Sequence, residues 1–235
     1  MRGNNWLKIW NKKGAKFKKI TETNVIKTNG FDTKLGKFDK KGYENYVKNK
    51  VKLLKISKNS NILEYGCGAG ALLNILHKSK HNNLYGIDYS LNLIKKVKKF
   101  LPNISYIVGD YKKIKFFKKK FDIIISNSVF QYFDNYNYSK KVIYKMISFL
   151  NKNGQVLILD IPDKKKEIKY KKKKSKILGE SLYLQKNDKY DHLYYEKSFF
   201  KKISKKKNLK IKIFNQNTKF YLNSPYRFNV LFKKN

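Results

Sequence analysis

A glycine-rich turn is the strongest candidate for chemistry in this sequence. From Leu63 to Gly70 the chain has the sequence L-E-Y-G-C-G-A-G, after an apolar run and before a helical pattern. Glycines allow backbone angles closed to other residues and let a ligand lie against the main chain, and the following helix start offers unpaired amides. The alternating glycines differ from the G-x-G-x-x-G dinucleotide pattern, and there is no G-x-x-x-x-G-K-[ST] phosphate loop. A lone glycine triplet of this kind would be weak support for a binding site.

Polar residues also follow three later apolar runs. Asp88 ends the run beginning at Leu84, and Asp110 follows the run ending at Val108. The run from Phe121 to Ile125 leads into S-N-S-V-F-Q-Y-F, which includes Asn127. A carboxylate suits the binding of ribose hydroxyls because it accepts two hydrogen bonds and donates none. Each of these could be an ordinary strand-end turn, but four in order predict one ligand site.

These residues need a scaffold in which the strand ends meet. Apolar runs alternate with helical patterns from residue 61 onward, which predicts a parallel sheet covered by helices on both faces. Ligands of open α/β sheets bind at the carboxyl ends of the strands. The predicted strands are 61–65, 83–87, 104–108, 121–125, 155–161, 209–213 and 227–232, and the predicted helices are 71–78, one capped by Ser90, 140–150 ending near 153–154, and 198–207.

Together the four signals resemble the motifs of class I, Rossmann-like S-adenosylmethionine-dependent methyltransferases of the small-molecule type. The resemblance covers roughly residues 50–160 and extends more loosely to the C-terminus. It implies an α/β fold with a seven-stranded, mostly parallel sheet and an antiparallel C-terminal strand. It also implies S-adenosyl-L-methionine as cofactor, with Asp88 on the ribose, Asp110 on the adenine and the Asn127 loop facing the methyl group. The residues expected to bind the cofactor are Glu64, Gly66, Cys67, Gly68, Gly70, Asp88, Tyr89, Asp110, Tyr111 and Asn127.

The sequence pattern also predicts a division of the chain. Residues 1–45 are expected to form an N-terminal helical appendage, and residues 46–235 the methyltransferase domain. Within that domain the cofactor-binding core spans about 50–160, a lysine-rich insertion spans 163–195, and a helix and strands occupy 196–235. The lysine run at 163–176 is typical of a solvated or mobile loop.

The acceptor is less well defined. The segment from Ser126 to Val129 lacks the prolines of the Asn-Pro-Pro-Tyr-like motif of nucleobase methyltransferases, and one cysteine excludes a paired-cysteine route. This favours in-line methyl transfer to a small molecule. An RNA methyltransferase that uses the lysine-rich surface, and a non-catalytic cofactor-binding domain, stay open as alternatives. No metal site is predicted, because the three histidines are not at ligand spacing.

The acceptor pocket is expected from the parts added around the core. Trp6 and Trp10 stand one helical turn apart and resemble a helix that covers the site in some small-molecule members; ordinary core packing explains them equally well. His192 is the candidate proton acceptor, because an unperturbed imidazole titrates near neutral pH, whereas a surface or capping role is the alternative. The residues expected in the substrate pocket are Trp6, Trp10, Gln131, Tyr132, Tyr194, Asn223 and Arg227.

The composition is strongly basic, with 56 basic and 16 acidic residues and a formal charge of +40. Such a charge fits a polyanionic partner, but an A+T-rich codon bias would also enrich lysine throughout the chain. Only Arg2 and Arg227 are arginines, and arginine is the residue that reads phosphate and guanine. Nucleic-acid binding is therefore not favoured. The single cysteine indicates a cytoplasmic protein, no membrane-spanning run is found, and the oligomeric state stays undefined.

Overall fold

In the computed structural model, a seven-stranded sheet forms the centre of the molecule. The structure describes residues 2–16, 19–32, 37–54, 56–179, 191–219 and 221–234. The strands are β1 Ile62–Tyr65, β2 Leu84–Asp88, β3 Ser105–Val108, β4 Phe121–Asn127, β5 Leu150–Pro162, β6 Lys210–Asn215 and β7 Arg227–Lys233. Their order is β3-β2-β1-β4-β5-β7-β6. Strands β1 to β5 pair in parallel, and β7 runs antiparallel to both β5 and β6, so the predicted fold class is confirmed.

Eight helices of the described residues surround the sheet. They are α1 Arg2–Lys16, α2 Glu22–Thr28, α3 Lys40–Val51, α4 Ala71–Lys78, α5 Leu91–Phe100, α6 Tyr136–Ser148, α7 Glu167–Leu178 and α8 Lys197–Lys207. The predicted cap of α5 is confirmed, since the Ser90 hydroxyl accepts a hydrogen bond from the Leu93 amide at 3.3 Å. None of the described helices combines the length and apolar character that crossing a membrane requires.

Alternate residues of the central strands enter two separate hydrophobic cores. Ile123 and Ile125 of β4 pack into one core with α1 to α5, and Ile124 packs into the other with α6 and α8. This two-sided burial explains why β4 is a continuous apolar run. Because both faces are covered, only the strand ends remain open to a ligand.

The structure corrects two of the predicted elements. The lysine run at 163–176 is not a loop: a short 3-10 turn leads into α7, whose Glu167 pairs with Lys164 and Lys171. Lysine is a good helix former, and Tyr170 gives the helix one buried anchor. The helix predicted to end near 153–154 ends at Ser148 instead, because β5 already begins at Leu150.

The predicted boundary at residue 45 lies inside α3, so the first 45 residues end partway through a helix. α3 packs against α2 and α4. Residues 180–190 of the predicted insertion lie outside the described residues.

Candidate active site

The glycine turn connects β1 to α4, and its three glycines do different work. The φ angles of the glycines are positive, a range that residues with a side chain rarely adopt: 76° for Gly66, 54° for Gly68 and 87° for Gly70. A Cβ on Gly70 would overlap Val97 of α5, so this residue serves helix packing and does not line the cavity described below. Gly66 and Gly68 do line it.

Cys67 points away from the cavity. Its thiol is buried next to Gly86 of β2, where a Cβ would lie 2.9 Å from the sulfur. Burial raises the pKa of the Cys67 thiol well above its usual value. The side chain of Cys67 therefore packs the underside of the turn.

Two buried carboxylates stand at the ends of β1 and β2. Asp88 accepts hydrogen bonds from the amides of Gly68 at 2.9 Å and Ser90 at 2.8 Å, while burial raises its pKa to about 6. Burial, followed by the charge of Asp88, raises the pKa of Glu64 well above its usual range. The Glu64 Oε2 atom has no hydrogen-bond partner among the described residues. Both side chains line the cavity, so Glu64 has an oxygen available for a ligand donor.

The ends of β3 and β4 complete the row. Asp110 lines the cavity and accepts a hydrogen bond from the Lys112 amide at 3.0 Å. Asn127 also lines the cavity, and its Oδ1 atom accepts a hydrogen bond from the Tyr46 hydroxyl at 2.7 Å. Tyr89 is a further lining residue, whereas Tyr111 does not line the cavity and packs on Tyr138 with the ring centroids 5.4 Å apart.

A cavity of about 300 Å³ joins these strand ends. Volumes of this size are typical of small-molecule sites. The lining includes nine of the predicted site residues together with residues that the sequence did not single out. The predicted lining residues are Glu64, Gly66, Gly68, Asp88, Tyr89, Asp110 and Asn127 from the cofactor set and Trp10 and Tyr132 from the acceptor set.

The charge of the lining is opposite to that of the chain. Four carboxylates line the cavity: Glu64, Asp88, Asp110 and Asp134. Among the described residues, no lysine or arginine does, although the sequence has 56 of them. The cavity therefore suits a ligand that is cationic and rich in hydrogen-bond donors.

Helix α1 covers the cavity from the N-terminal side. Leu7 and Trp10 line it, and the ring of Trp10 packs edge-on to Tyr132 with centroids 5.2 Å apart. The Asn11 Oδ1 atom accepts a hydrogen bond from the Ser90 hydroxyl at 2.7 Å. Trp6 packs on Tyr132 at 4.6 Å without lining the cavity. The rings of the two tryptophans thus hold the ring of Tyr132 in position at the cavity.

Four residues predicted for the acceptor pocket lie beyond the cavity wall: Gln131, Tyr194, Asn223 and Arg227 are buried but do not line the cavity. Gln131 is the nearest link, because its Nε2 atom donates to the hydroxyl of Ser128, a lining residue, at 2.8 Å. Of the other three, Arg227 and Tyr194 act on each other: burial raises the pKa of Tyr194, and the charge of Arg227 opposes that rise.

His192 also lies behind the wall. It is half-buried, with its ring 5.7 Å from Trp6 and 5.5 Å from Tyr132, and it does not line the cavity. Burial lowers the pKa of His192 well below its usual value, and the charges of Arg227 and Lys174 lower it further. The imidazole is therefore neutral at physiological pH but stands behind Tyr132.

Several lining residues had no signal in the sequence. Asn29, at the end of α2, accepts a hydrogen bond from the Ala69 amide at 2.6 Å and donates to the Cys67 carbonyl at 3.2 Å. The Asn29 side chain thereby ties the end of α2 to the glycine turn. The Asn29-Gly30 pair indicates a helix end, but nothing in the sequence shows that this end docks on a turn some 40 residues away.

Known proteins share both the sequence pattern and the architecture. A family described as "Methyltransferase domain" matches residues 56–218. Malonyl-[acyl-carrier protein] O-methyltransferase 2 of Ilyobacter polytropus is 38% identical over 101 residues, which cover 41% of this chain and 38% of that protein. The matched regions span between 32% and 41% of the length of the first three curated relatives.

Two solved methyltransferase structures have a fold that matches nearly the whole of this chain. The magnesium protoporphyrin IX methyltransferase of Synechocystis PCC 6803, with bound SAH, has a TM-score of 0.62 at 14% identity and covers 99% of this chain and 93% of that one. The plantazolicin methyltransferase BpumL, in complex with SAH and a substrate analogue, has a TM-score of 0.63 at 15% identity and covers 98% of both chains. The family match spans more than half of the chain, and the resemblance found in the motifs is confirmed: this chain belongs to the methyltransferase-domain family, of the class I, S-adenosylmethionine-dependent kind.

Proposed function

We propose that this chain transfers the methyl group of S-adenosyl-L-methionine to a small-molecule acceptor in the cytoplasm. The observation that carries the proposal is the acidic cavity in a basic protein: four carboxylates and no lysine or arginine among its described lining residues. S-adenosylmethionine is a sulfonium with an ammonium group, ribose hydroxyls and an adenine amino group, so it presents the charge and the donors that this lining lacks. A dinucleotide, with its anionic pyrophosphate, fits this lining poorly.

The proposed binding mode uses the strand ends in order. Glu64 and the amides around Gly66 face the amino-acid part, Asp88 accepts from the ribose hydroxyls, and Asp110 accepts from the adenine amino group. Bound there, the cofactor supplies a methyl group already activated by the sulfonium. The protein then contributes mainly positioning, which can lower a barrier by about 7–11 kcal/mol. Asn127, held by Tyr46, is the last residue of β4 and leads into the loop that would face the methyl group.

Calorimetry tests the cofactor assignment. We expect micromolar or tighter binding of S-adenosylmethionine and S-adenosylhomocysteine, and no binding of NAD. Methyl transfer itself is tested with labelled S-adenosylmethionine and cell extract, with and without nuclease. Label in a small-molecule fraction that survives nuclease supports the proposal. Label that nuclease removes would contradict the proposal and indicate an RNA acceptor. The formal charge of +40 is the observation that supports this alternative.

We assign His192 a positioning role, because its ring contacts Tyr132 and not the cavity. On this proposal His192→Ala raises KM for the acceptor while leaving kcat and cofactor affinity nearly unchanged. If kcat instead falls by 100-fold or more, within the range of about 10²–10⁴ typical of a lost general base, His192 is the proton acceptor.

A further inference from the structure

A buried polar cluster adjoins the cavity where β4 and β5 end. Its members are Ser128, Asp160, Tyr221 and Arg227. Ser128 and Asp160 have φ angles of 59° and 61°, although neither is glycine. A left-handed conformation is unfavourable for such residues and persists only where the surroundings impose it, which happens most often at ligand sites. Ser128 lines the cavity, so the cluster begins at its wall.

One oxygen of the Asp160 carboxylate is fully engaged. Its Oδ2 atom accepts hydrogen bonds from the Ser128 hydroxyl at 2.7 Å and the Tyr221 hydroxyl at 2.8 Å. The other oxygen, Oδ1, lies 3.8 Å from Arg227 Nε, which is an ion pair but too long for a hydrogen bond. Asp160 therefore neutralises Arg227 in part without satisfying it.

Arg227 has unused hydrogen-bond donors. Its side chain is 3% exposed, and neither Nε nor Nη1 has a hydrogen-bond acceptor among the described residues. Its guanidinium carbon lies 5.5 Å from the ring of Tyr170 in α7. Buried donors without acceptors are strongly unfavourable, and a guanidinium is among the most demanding groups in this respect. An acceptor supplied by a ligand would remove this penalty.

The electrostatic surroundings favour an anion at this position. Burial is the main cause that lowers the pKa of His192, and the charges of Arg227 and then Lys174 add to it, so two positive charges act at this position. Arg227 also stands out in composition, because lysine supplies nearly all the other positive charges. Arginine, with its planar set of donors, is the better partner for a carboxylate.

We propose that Arg227 binds a carboxylate of the methyl acceptor, while the rest of the acceptor extends past Tyr132 to the cofactor cavity. The inference rests on the proposed methyl transfer and names the class of its acceptor. It divides the site by charge: carboxylates of the protein hold the cationic cofactor, and the buried arginine holds the anionic acceptor.

Matched pairs of small probes test this inference. Acetate, benzoate and octanoate are each compared with their primary amide by ligand-observed NMR, with and without S-adenosylhomocysteine, at about 0.15 M salt to screen the surface lysines. At least one carboxylate should bind ten times more tightly than its amide, a difference of about 1.4 kcal/mol. Arg227→Gln should abolish that preference, whereas Lys172→Gln, an exposed charge on α7, should leave it unchanged.

A second variant keeps the test decisive if Arg227→Gln does not fold. Asp160→Asn removes the competing negative charge but retains Arg227, so carboxylate affinity should rise severalfold. Equal binding of every acid and amide overturns the inference, as does a preference that survives Arg227→Gln, or an affinity that is unchanged or weaker in Asp160→Asn. Calorimetry of S-adenosylhomocysteine on the same samples separates the two proposals, because lost cofactor binding counts against methyl transfer and not against Arg227.

Discussion

Replacing Gly68 by alanine tests how the glycine turn is held. The left-handed φ of Gly68 costs a side-chain-bearing residue about 1–2 kcal/mol. The added Cβ would overlap Asn29 Oδ1 and lie 2.9 Å from Asn29 Cγ, so the Asn29 side chain must leave. It would then lose its hydrogen bonds to Ala69 and Cys67, each worth about 0.5–1.5 kcal/mol. We expect Gly68→Ala to lower the free energy of unfolding by about 2–5 kcal/mol.

The assay is urea unfolding of Gly68→Ala, Asn29→Ala and the double variant, all without ligand. Once Asn29→Ala has removed the obstructing side chain, Gly68→Ala should cost only its backbone share of about 1–2 kcal/mol. The two single losses should therefore exceed the loss in the double variant by about 1 kcal/mol or more. Gly179→Ala is the control, because Gly179 also has a positive φ but a Cβ there meets nothing within 4 Å. Its loss should be the same with or without Asn29. Additive losses for Gly68 and Asn29, within about 0.5 kcal/mol, would refute the reasoning.

Three further predictions concern the cofactor, pH and salt. Asp88→Ala should weaken S-adenosylhomocysteine binding at least tenfold, because hydrogen bonds to a charged group are worth about 1.5–3 kcal/mol each; unchanged affinity in calorimetry would contradict the role of Asp88. The folded-state pKa of His192 lies below the unfolded value of 6.5, so its contribution to stability is complete above that pH and is lost as the pH falls below it. Urea unfolding over about pH 5–7.5 should show a smaller acid loss in His192→Gln than in the parent, and equal losses would count against burial of the imidazole. Nucleic-acid binding should be weak, sequence-blind and lost at about 0.15 M salt in gel shifts, and a specific RNA retained there would favour the RNA alternative.

The parts of the site that follow the strands were predictable from the sequence. Each strand end is marked locally, by the glycines after β1 and by Asp88 and Asp110, and parallel pairing then brings these ends together. The start of β5 was less clear, since its residues 151–154 are polar and Asn153-Gly154 is typical of a helix end.

The covering parts were not predictable, because they depend on contacts between distant residues. Tyr46 reaches Asn127 across 81 positions, and Asn29 reaches Ala69 across 40. Neither pairing leaves a local pattern. The lysines of α7 suggested a loop by their charge, whereas one buried tyrosine and pairs with Glu167 were enough to hold a helix. The position of His192 behind Tyr132 likewise depends on how residues 191–195 cross the sheet end.

The single cysteine can report on the stability of the glycine turn. Cys67 lies under the turn, and burial holds its thiol in the unreactive protonated form. A labelling reagent can reach it only when the junction of β1 and α4 separates from β2, so the labelling rate measures the free energy of that local opening. Since the chain has no second thiol, the labelling rate reports on this turn alone. A ligand that binds on the cavity side of the turn should therefore slow the labelling of Cys67.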